Sequence, residues 1–322
     1  EDFLKELLNL NTNNEKLNKL YKDFNTDLNQ LYYQDEHIFH LCCKKDLFHS
    51  VVWLISNGIN LEIENLEKET AIFYAIRTKG TVILQILVEN GANINHLNIF
   101  NRTALQEAVI RANNRIVNYL LQITRTVSNC DIYGNNLIFD AISNGNIDII
   151  KRIASIKEIN INQINNDGNT ILHKDIVLKN NELALLLIDF GADPTILDKE
   201  GKSFLFYCIS EGIKNISVLQ KVVLLGYDIN NKNGQNKTLL MESINYYLDT
   251  PKDNVEIKNS HLEMIKELIH LGINVNALDN NNETLLFILV RHGNRELLHL
   301  FLETTKMNLN HQNNQHETPL LI

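Results

Sequence analysis

Apolar and polar positions recur along this chain at a fixed spacing. A short block repeats in which a Thr or a substitute is followed two residues later by an aliphatic residue or Phe, and five residues later usually by a small residue. The copies begin at His37, Thr70, Thr103, Asn136, Thr170, Ser203, Thr238, Thr284 and Thr318. The steps between them are 33, 33, 33, 34, 33, 35, 46 and 34 residues. The pattern therefore predicts a repeat of 33 residues with one large insertion.

The second half of most repeats carries another pattern, in which an apolar helical stretch leads into a Gly. Gly readily adopts the left-handed backbone conformation that ends a helix, so each of these sites predicts a helix end. The copies are NGIN at 57–60, NGANIN at 90–95, FGADPT at 190–195, LGYDIN at 225–230 and LGINVN at 271–276. Repeats three, four and eight lack this ending, so the geometry of their turns is less defined by the sequence.

The period and the two motifs together resemble the ankyrin repeat, from about residue 35 to the C-terminus. Residues 170–173 (TILH) match the family's T-P-L-H except for the Pro, and residues 318–320 (TPL) match its first three positions. The resemblance implies an all-α fold, an ankyrin-repeat solenoid of stacked antiparallel helix pairs with β-turn fingers. Repeats are then expected to start near residues 35, 68, 101, 134, 168, 201, 236, 282 and 316.

Elementary physical chemistry agrees with this interpretation of each repeat. A Thr, Asn or Ser at the start of a helix can hydrogen-bond the unpaired amides of its first turn. A small residue five positions later lets neighbouring helices approach closely, and the apolar face of the second helix fills the core between repeats. Small residues occupy that position at Cys42, Ala75, Ala108, Ala141, Cys208 and Ser243. Because one repeat cannot bury its apolar face alone, the stack is expected to fold cooperatively.

Three segments depart from the regular pattern. Residues 1–34 carry helical apolar spacing in two stretches, which predicts a pair of capping helices ahead of the repeats at 35–322. The repeat that starts near residue 236 is 13 residues too long, and its polar excess predicts a surface loop at about 247–260. The ninth repeat stops shortly after it begins, so we expect the natural protein to continue.

Composition and charge narrow the classes of function. Of the 322 residues, 44% are hydrophobic and 21% are charged, which is typical of a globular protein. The net charge of −9 argues against nucleic acid as a partner, and no apolar run is long enough to span a membrane. We expect a monomer. The four cysteines are too few for a disulfide framework, which favours a reducing compartment, the cytoplasm.

One cluster contains residues of the types that bind zinc. His37, His40, Cys42 and Cys43 lie within seven positions of each other. His40 and Cys42, however, occupy the positions where the repeat usually has a His and a small residue. We therefore assign them to helix packing and predict no metal and no cofactor.

A second cluster suggests a catalytic pair, His173 and Asp175. The two residues lie two apart on one predicted helix and so point in different directions. Asp175 replaces the expected small residue, and a buried carboxylate there would need a hydrogen-bond partner or a raised pKa. Because no phosphate-binding Gly-rich loop, H-E-x-x-H motif or nucleophile elbow occurs anywhere, the sequence predicts a protein that is not an enzyme.

The candidate partner-binding surface lies at the predicted fingers of repeats one to four. Apolar side chains occupy these tips, and we call the set the finger stripe: Tyr33, Leu66, Ile99, Phe100, Ile132 and Tyr133. The equivalent positions of repeats five to eight are polar or Gly: Asn166, Asp167, Lys199, Glu200, Gly234, Gln235, Asn280 and Asn281. At the far end of the first helices, the same alignment places a basic rim: Lys44, Lys45, Arg77 and Arg111. Aromatic residues beside Arg are typical of binding hot spots. The alternative is that the stripe residues pack on each other between adjacent repeats.

These observations predict a protein–protein interaction scaffold that uses the concave face of repeats one to four. Its partner is expected to be another protein with an apolar segment flanked by acidic residues. The chain begins at Glu1 rather than Met, which favours the binding or targeting portion of a larger protein. Two alternatives remain: a substrate-recruiting or regulatory module of an enzyme whose catalytic domain lies outside this chain, and a stand-alone inhibitor. Enrichment in Asn, Ile and Lys is typical of an AT-rich genome, which for a bacterial or parasite protein would also allow the cytosol of a host cell.

Overall fold

The computed structural model of this chain describes residues 2–24, 26–78, 81–174, 177, 179–210 and 212–322. The chain divides into two compact units, Glu1–Asn160 and Ile161–Ile322. Each unit is built from short helices in successive pairs, with turns projecting between the pairs. The fold is therefore all-α and of the ankyrin-repeat type, as the sequence predicted.

The first unit begins with two helices, α1 (Asp2–Leu7) and α2 (Asn14–Lys22), and a 3-10 turn at Leu28–Gln30. A two-stranded antiparallel hairpin, β1 (Tyr32–Tyr33) and β2 (Glu36–His37), then leads into the first repeat. Four helix pairs follow: α3 (Ile38–Lys44) and α4 (Phe48–Ser56), α5 (Ala71–Ala75) and α6 (Val82–Glu89), α7 (Ala104–Ile110) and α8 (Asn114–Ile123), α9 (Leu137–Asn144) and α10 (Ile147–Ala154).

An aromatic cluster connects the N-terminal helices to the first repeat. The rings of Phe3 on α1 and Tyr21 on α2 both contact Trp53 on α4, with centroid distances of 5.6 and 5.1 Å. The indole N–H of Trp53 donates to the Asn18 side chain at 2.8 Å. Helices α1 and α2 thus cover apolar surface of the first repeat that would otherwise face water.

The predicted role of the small residues is confirmed in the first unit. Cys42, Ala75, Ala108 and Ala141 are completely buried, and the first helices of neighbouring repeats contact each other directly. Larger side chains on the same helices fill the remaining space, among them the fully buried rings of Phe39, Phe73 and Phe139. The repeating core therefore depends on alternation of small and large residues along the first helix of each pair.

The capping role predicted for the first position of each block holds at some repeats only. Thr103 forms a reciprocal capping box with Gln106, and the hydroxyl of Thr238 accepts from the third amide of its helix at 3.3 Å. Thr70 and Thr284 make no such side-chain hydrogen bond, although both are buried and have the same extended backbone. At these two positions the side chain packs in the core but accepts no hydrogen bond from the unpaired amides of the first helical turn.

The second unit follows the same plan. Repeat five has a 3-10 turn at Ile171–His173, and Asp175 of the suggested catalytic pair lies outside the described residues. The helices of this unit are α11 (Asn181–Asp189), α12 (Phe204–Ser210), α13 (Ile216–Leu224), α14 (Leu239–Asp249), α15 (Val255–His270), α16 (Leu285–His292) and α17 (Arg295–Thr304). Two further 3-10 turns lie at Gly212–Asn215 and Pro319–Leu321.

The extra residues of repeat seven lengthen its helices, which corrects the surface loop predicted at about 247–260. Only residues 250–254 connect α14 to α15, and α15 is 16 residues long. The first turns of α15 pack on the turn at Gly212–Asn215, where the amide of Ile213 donates to the hydroxyl of Ser260 at 3.1 Å. The helix continues through the polar segment because a neighbouring repeat supports it, and the local sequence pattern did not show this.

Candidate functional site

The second, third and fourth fingers are tight turns, each held by one Asn or Asp side chain. The side-chain oxygen of Asn65 accepts hydrogen bonds from the amides of Glu67 and Glu69, both at 2.8 Å. Asn98 and Asp131 make the same two hydrogen bonds in the next two fingers. Because this acceptor and not the tip fixes the backbone, the residues at the tip are free to vary with function.

Four members of the finger stripe are exposed. The side chain of Leu66 is as exposed as in an extended chain (101%), Ile132 and Tyr133 are each 49% exposed, and Ile99 is 43% exposed. Large apolar side chains are rarely left in water in a row unless something covers them, although single ones are common. The row at successive fingers is therefore the unusual feature of this unit.

The other two members of the stripe, Tyr33 and Phe100, are half-buried. Phe100 lies under the guanidinium group of Arg102, 5.6 Å from the ring centroid. In the first finger the exposed ring belongs to Tyr32 (54%) and not to Tyr33, the residue that the sequence pattern predicted. Tyr32 and Tyr33 are consecutive in β1, and successive strand residues point to opposite sides, so only one ring can face outward. The alternation of side-chain direction along the two strand residues before the turn is the feature of the sequence that could have distinguished Tyr32 from Tyr33.

Backbone hydrogen bonds join the second, third and fourth fingers into one edge. The amide of Ile99 donates to the carbonyl of Glu67 at 2.9 Å, and the amide of Ile132 donates to the carbonyl of Phe100 at 3.0 Å. The fingers therefore pack on each other through their backbones, while the side chains of Leu66, Ile99 and Ile132 stay exposed. This arrangement weighs against the alternative in which the stripe is buried between adjacent repeats.

Carboxylates of the same repeats largely neutralise the basic rim. Three of its four cations form ion pairs, and Lys45 is exposed and in no ion pair among the described residues. The pairs are Glu36–Lys44 at 2.8 Å, Glu69–Arg77, and Glu107–Arg111 at 3.8 Å. The rim therefore offers less positive charge to a partner than the sequence suggested.

Removing Arg77 is expected to cost more stability than removing Arg111. The side chain of Glu69 is 3% exposed, so Arg77→Ala leaves a buried carboxylate without its cation. The unfolding free energy should fall by about 1 to 2 kcal/mol. Arg111→Ala, which breaks a longer and more exposed pair, should change it by less than about 0.5 kcal/mol. Urea denaturation of both variants measures the difference, and equal losses would contradict this account.

The fingers of the second unit have the polar tips that the sequence showed. Their backbones are also joined: the amide of Gly234 donates to the carbonyl of Gly201 at 2.6 Å, and that of Asn314 donates to Asn281 at 3.2 Å. Finger contacts thus form with or without apolar tips. The apolar residues of the first unit are therefore not required for the fingers to pair.

The zinc-type cluster has structural roles in the first repeat. The Nδ1 atom of His37 accepts from the amide of Phe39 at 3.2 Å, and His40 Nε2 donates to the carbonyl of Ile63 at 2.9 Å. Cys42 and Cys43 are completely buried, and burial raises the pKa of the Cys42 thiol to about 12. Across the described ranges, no group of three or more His, Cys, Asp or Glu side chains could hold a metal ion.

His173 also has structural partners. Its Nδ1 atom accepts from the amide of Thr170 at 3.2 Å, and its ring meets the ring of Tyr207 edge-on at 5.9 Å. The hydroxyl of Tyr207 in turn donates to Asp198 at 2.5 Å. Burial lowers the pKa of His173, so this ring is neutral at physiological pH.

Comparison with known proteins agrees with the repeat architecture. A family model described as "Ankyrin repeats (3 copies)" matches residues 38–133, 79–165 and 137–233, and one described as "Ankyrin repeats (many copies)" matches residues 257–302. The putative ankyrin repeat protein L371 of Acanthamoeba polyphaga mimivirus is 26% identical over 156 residues. That match covers 43% of this chain but only 20% of the relative, which is much longer.

A solved structure shares the fold. The crystal structure of the human ASB11 ankyrin repeat domain superposes with a TM-score of 0.53 at 18% identity, covering 70% of this chain and 96% of that domain. None of the described helices is long and apolar enough to cross a bilayer. Ankyrin repeats generally serve as protein–protein interaction modules. Since the family models match well over half of its residues, this chain belongs to the ankyrin-repeat family.

Proposed function

We propose that this chain is a protein-binding scaffold whose partner lies along the fingers of repeats one to four, on their concave face. The observation that carries the proposal is the row of exposed apolar tips, Leu66, Ile99, Ile132 and Tyr133, on turns fixed by hydrogen bonds. A rigid turn that presents an apolar side chain loses little conformational entropy when a partner covers it. Tyr32 joins this surface in the first finger.

The partner proposed here is an apolar segment of another protein. The basic rim predicted acidic residues on either side of that segment. We propose an acidic residue opposite Lys45 only, because Lys44, Arg77 and Arg111 already have carboxylate partners. A competing acidic group would have to replace these pairs, and exposed ion pairs add little net affinity.

The longer relative supports a role as part of a larger protein. The matched segment is 20% of that relative's length, so the matching repeats there belong to a much longer chain. All four cysteines of this chain are free, and Cys42, Cys43 and Cys208 are buried. Free thiols in this number support a reducing compartment such as the cytoplasm.

Replacing a single apolar tip is expected to weaken partner binding without unfolding the repeat. Tyr133→Ser should raise the Kd of a partner about tenfold, because interface aromatics commonly contribute more than about 1 kcal/mol. The partner is first captured from lysate on immobilised wild-type chain, and its affinity for both proteins is then measured by calorimetry. An unchanged Kd would remove the fourth finger from the binding surface.

A matched control carries the same kind of change away from the stripe. Leu224 (81% exposed), Val255 (59%) and Ile257 (47%) are exposed apolar residues of the second unit. A Leu224→Ser, Val255→Ser, Ile257→Ser variant should retain the partner that a Leu66→Ser, Ile132→Ser, Tyr133→Ser variant loses, provided that both show the wild-type helical melting curve. If both variants lose it equally, the interaction is nonspecific and the proposed function fails.

A further inference from the structure

The first and second fingers are separated by a groove. Backbone hydrogen bonds join finger two to three and finger three to four, but none joins fingers one and two in the described part of the chain. A cavity of about 460 Å³ opens there, bordered by the first helices of both repeats. The side chains of Tyr32 and Leu66 stand at its edge and are exposed.

The floor of this groove is aromatic, and the guanidinium group of Arg77, which lies 5.2 Å from the centroid of the Tyr74 ring, is paired with Glu69. Tyr32 meets His37 edge-on at 5.2 Å, His37 lies 5.5 Å from His40, and His40 stacks on Tyr74 at 4.6 Å with the rings nearly parallel. Burial lowers the pKa of His37, and it lowers that of His40 to about 4. Both imidazoles are therefore neutral at physiological pH and add no positive charge to the groove.

The rim of the groove is acidic. Asp35, Glu36 and Glu64 border it. Lys44 neutralises Glu36 at 2.8 Å, and Glu64 lies 3.4 Å from a nitrogen of His96. Asp35 is exposed and in no ion pair among the residues that the structure describes. Carboxylates above exposed aromatic and apolar surface form an environment that attracts a cation and repels an anion.

We propose that this groove receives an arginine or lysine side chain of the partner protein, and the proposal rests on the function proposed above. Its aliphatic stem packs along Leu66 and the ring of Tyr32, and its charged end is directed toward Asp35 and Glu64. A long cationic side chain suits this site because its stem is apolar while its head is charged. The partner segment would then continue over the exposed tips of Ile99, Ile132 and Tyr133.

Three synthetic peptides test the proposal on the full chain. They share the sequence acetyl-Leu-Ala-X-Ala-Leu-amide, in which X is arginine, norleucine or glutamate, and binding is followed by amide NMR shifts. The arginine peptide should shift the signals of Tyr32 and Leu66 and bind about fivefold more tightly than the norleucine peptide. The glutamate peptide should bind most weakly.

Two neutralising substitutions provide the decisive comparison. Asp35 has a φ of 64°, which Asn also tolerates, and Gln matches the shape of Glu. In an Asp35→Asn, Glu64→Gln variant, the affinities of the arginine and norleucine peptides should become equal. Glu67→Gln, an exposed change outside the groove, should leave the preference for arginine intact. Raising NaCl from about 0.05 M to about 0.5 M should weaken only the arginine peptide's binding to the wild type.

Each contrary outcome has a distinct meaning. Equal binding of the arginine and norleucine peptides to the wild type, with shifts at Ile132 and Tyr133, overturns the cation site and leaves the proposed binding face standing. No arginine-dependent shift at Tyr32 or Leu66 up to about 10 mM peptide also overturns it, since weaker binding would not contribute to recognition. If the variant with both neutralising substitutions still binds the arginine peptide more tightly than the norleucine peptide, also at high salt, the cation binds outside this groove and the proposal is wrong.

Discussion

Replacing Asp140 by Asn is expected to stabilise the chain by about 2 to 4 kcal/mol near pH 8. Asp140 lies on α9 and is 5% exposed, and the Gln106 side chain donates to it at 3.4 Å. Burial, opposed by Arg102 and reinforced by Asp131, raises its pKa from 3.8 to about 7. Three pKa units correspond to an upper limit of about 4 kcal/mol.

The sign of this effect follows from proton linkage. A carboxyl group that holds its proton more tightly in the folded state favours folding at low pH. That contribution is complete below about pH 3.8 and is lost as pH rises toward about 7, because over this range the carboxyl group ionises in the unfolded state while the buried group in the folded state still holds its proton. Asn resembles the protonated form at every pH. The advantage of Asp140→Asn should therefore grow between about pH 4 and about pH 7 and level off above that.

Urea denaturation at several pH values measures this difference. Asp148 is the matched control, since it is exposed in the first turn of α10, and Asp148→Asn should change stability by about 0.5 kcal/mol or less at each pH. If the gain in stability from Asp140→Asn did not vary with pH, Asp140 would be ionised or solvated at every pH tested. That result would contradict the burial of its side chain.

Gly201→Ala is expected to destabilise the second unit by about 2 to 4 kcal/mol. Gly201 has a φ of +73°, and an added Cβ would lie 2.6 Å from the Cα atom of Gly234 in the next finger. That atom is backbone and cannot rotate away, so the two fingers must separate. Separation also breaks the hydrogen bond from the Gly234 amide to the Gly201 carbonyl.

Gly226→Ala is the control that distinguishes the cost of the left-handed backbone from the cost of the steric clash. Gly226 has a φ of +81° and no atom within 4 Å of its added Cβ, so the left-handed conformation alone should cost about 1 kcal/mol. Thermal or urea unfolding of both variants gives the comparison. Equal losses would show that the fingers tolerate separation and that their contact contributes little.

Two ion pairs of the rim join residues that lie far apart in sequence. The sequence alone places the cations Lys44 and Arg77 at the end of a first helix. Their carboxylates lie eight residues earlier, at Glu36 and Glu69, on the finger that leads into the same helix. The recurring interval was present in the sequence. Only the geometry of finger and helix, however, shows that eight residues bring these groups together, because residues in contact on one helix are three or four apart.

The sequence by itself determined the period, the helix ends at Gly and the small residues of the core. These features are local: a repeat cannot stack unless its apolar, small and turn-forming residues recur in register. The tertiary structure decided that Tyr32 rather than Tyr33 is exposed, that the insertion of repeat seven extends two helices, and that a groove opens between the first two fingers. Each depends on contacts between neighbouring elements, and a pattern along one segment carries no information about the surface against which that segment packs.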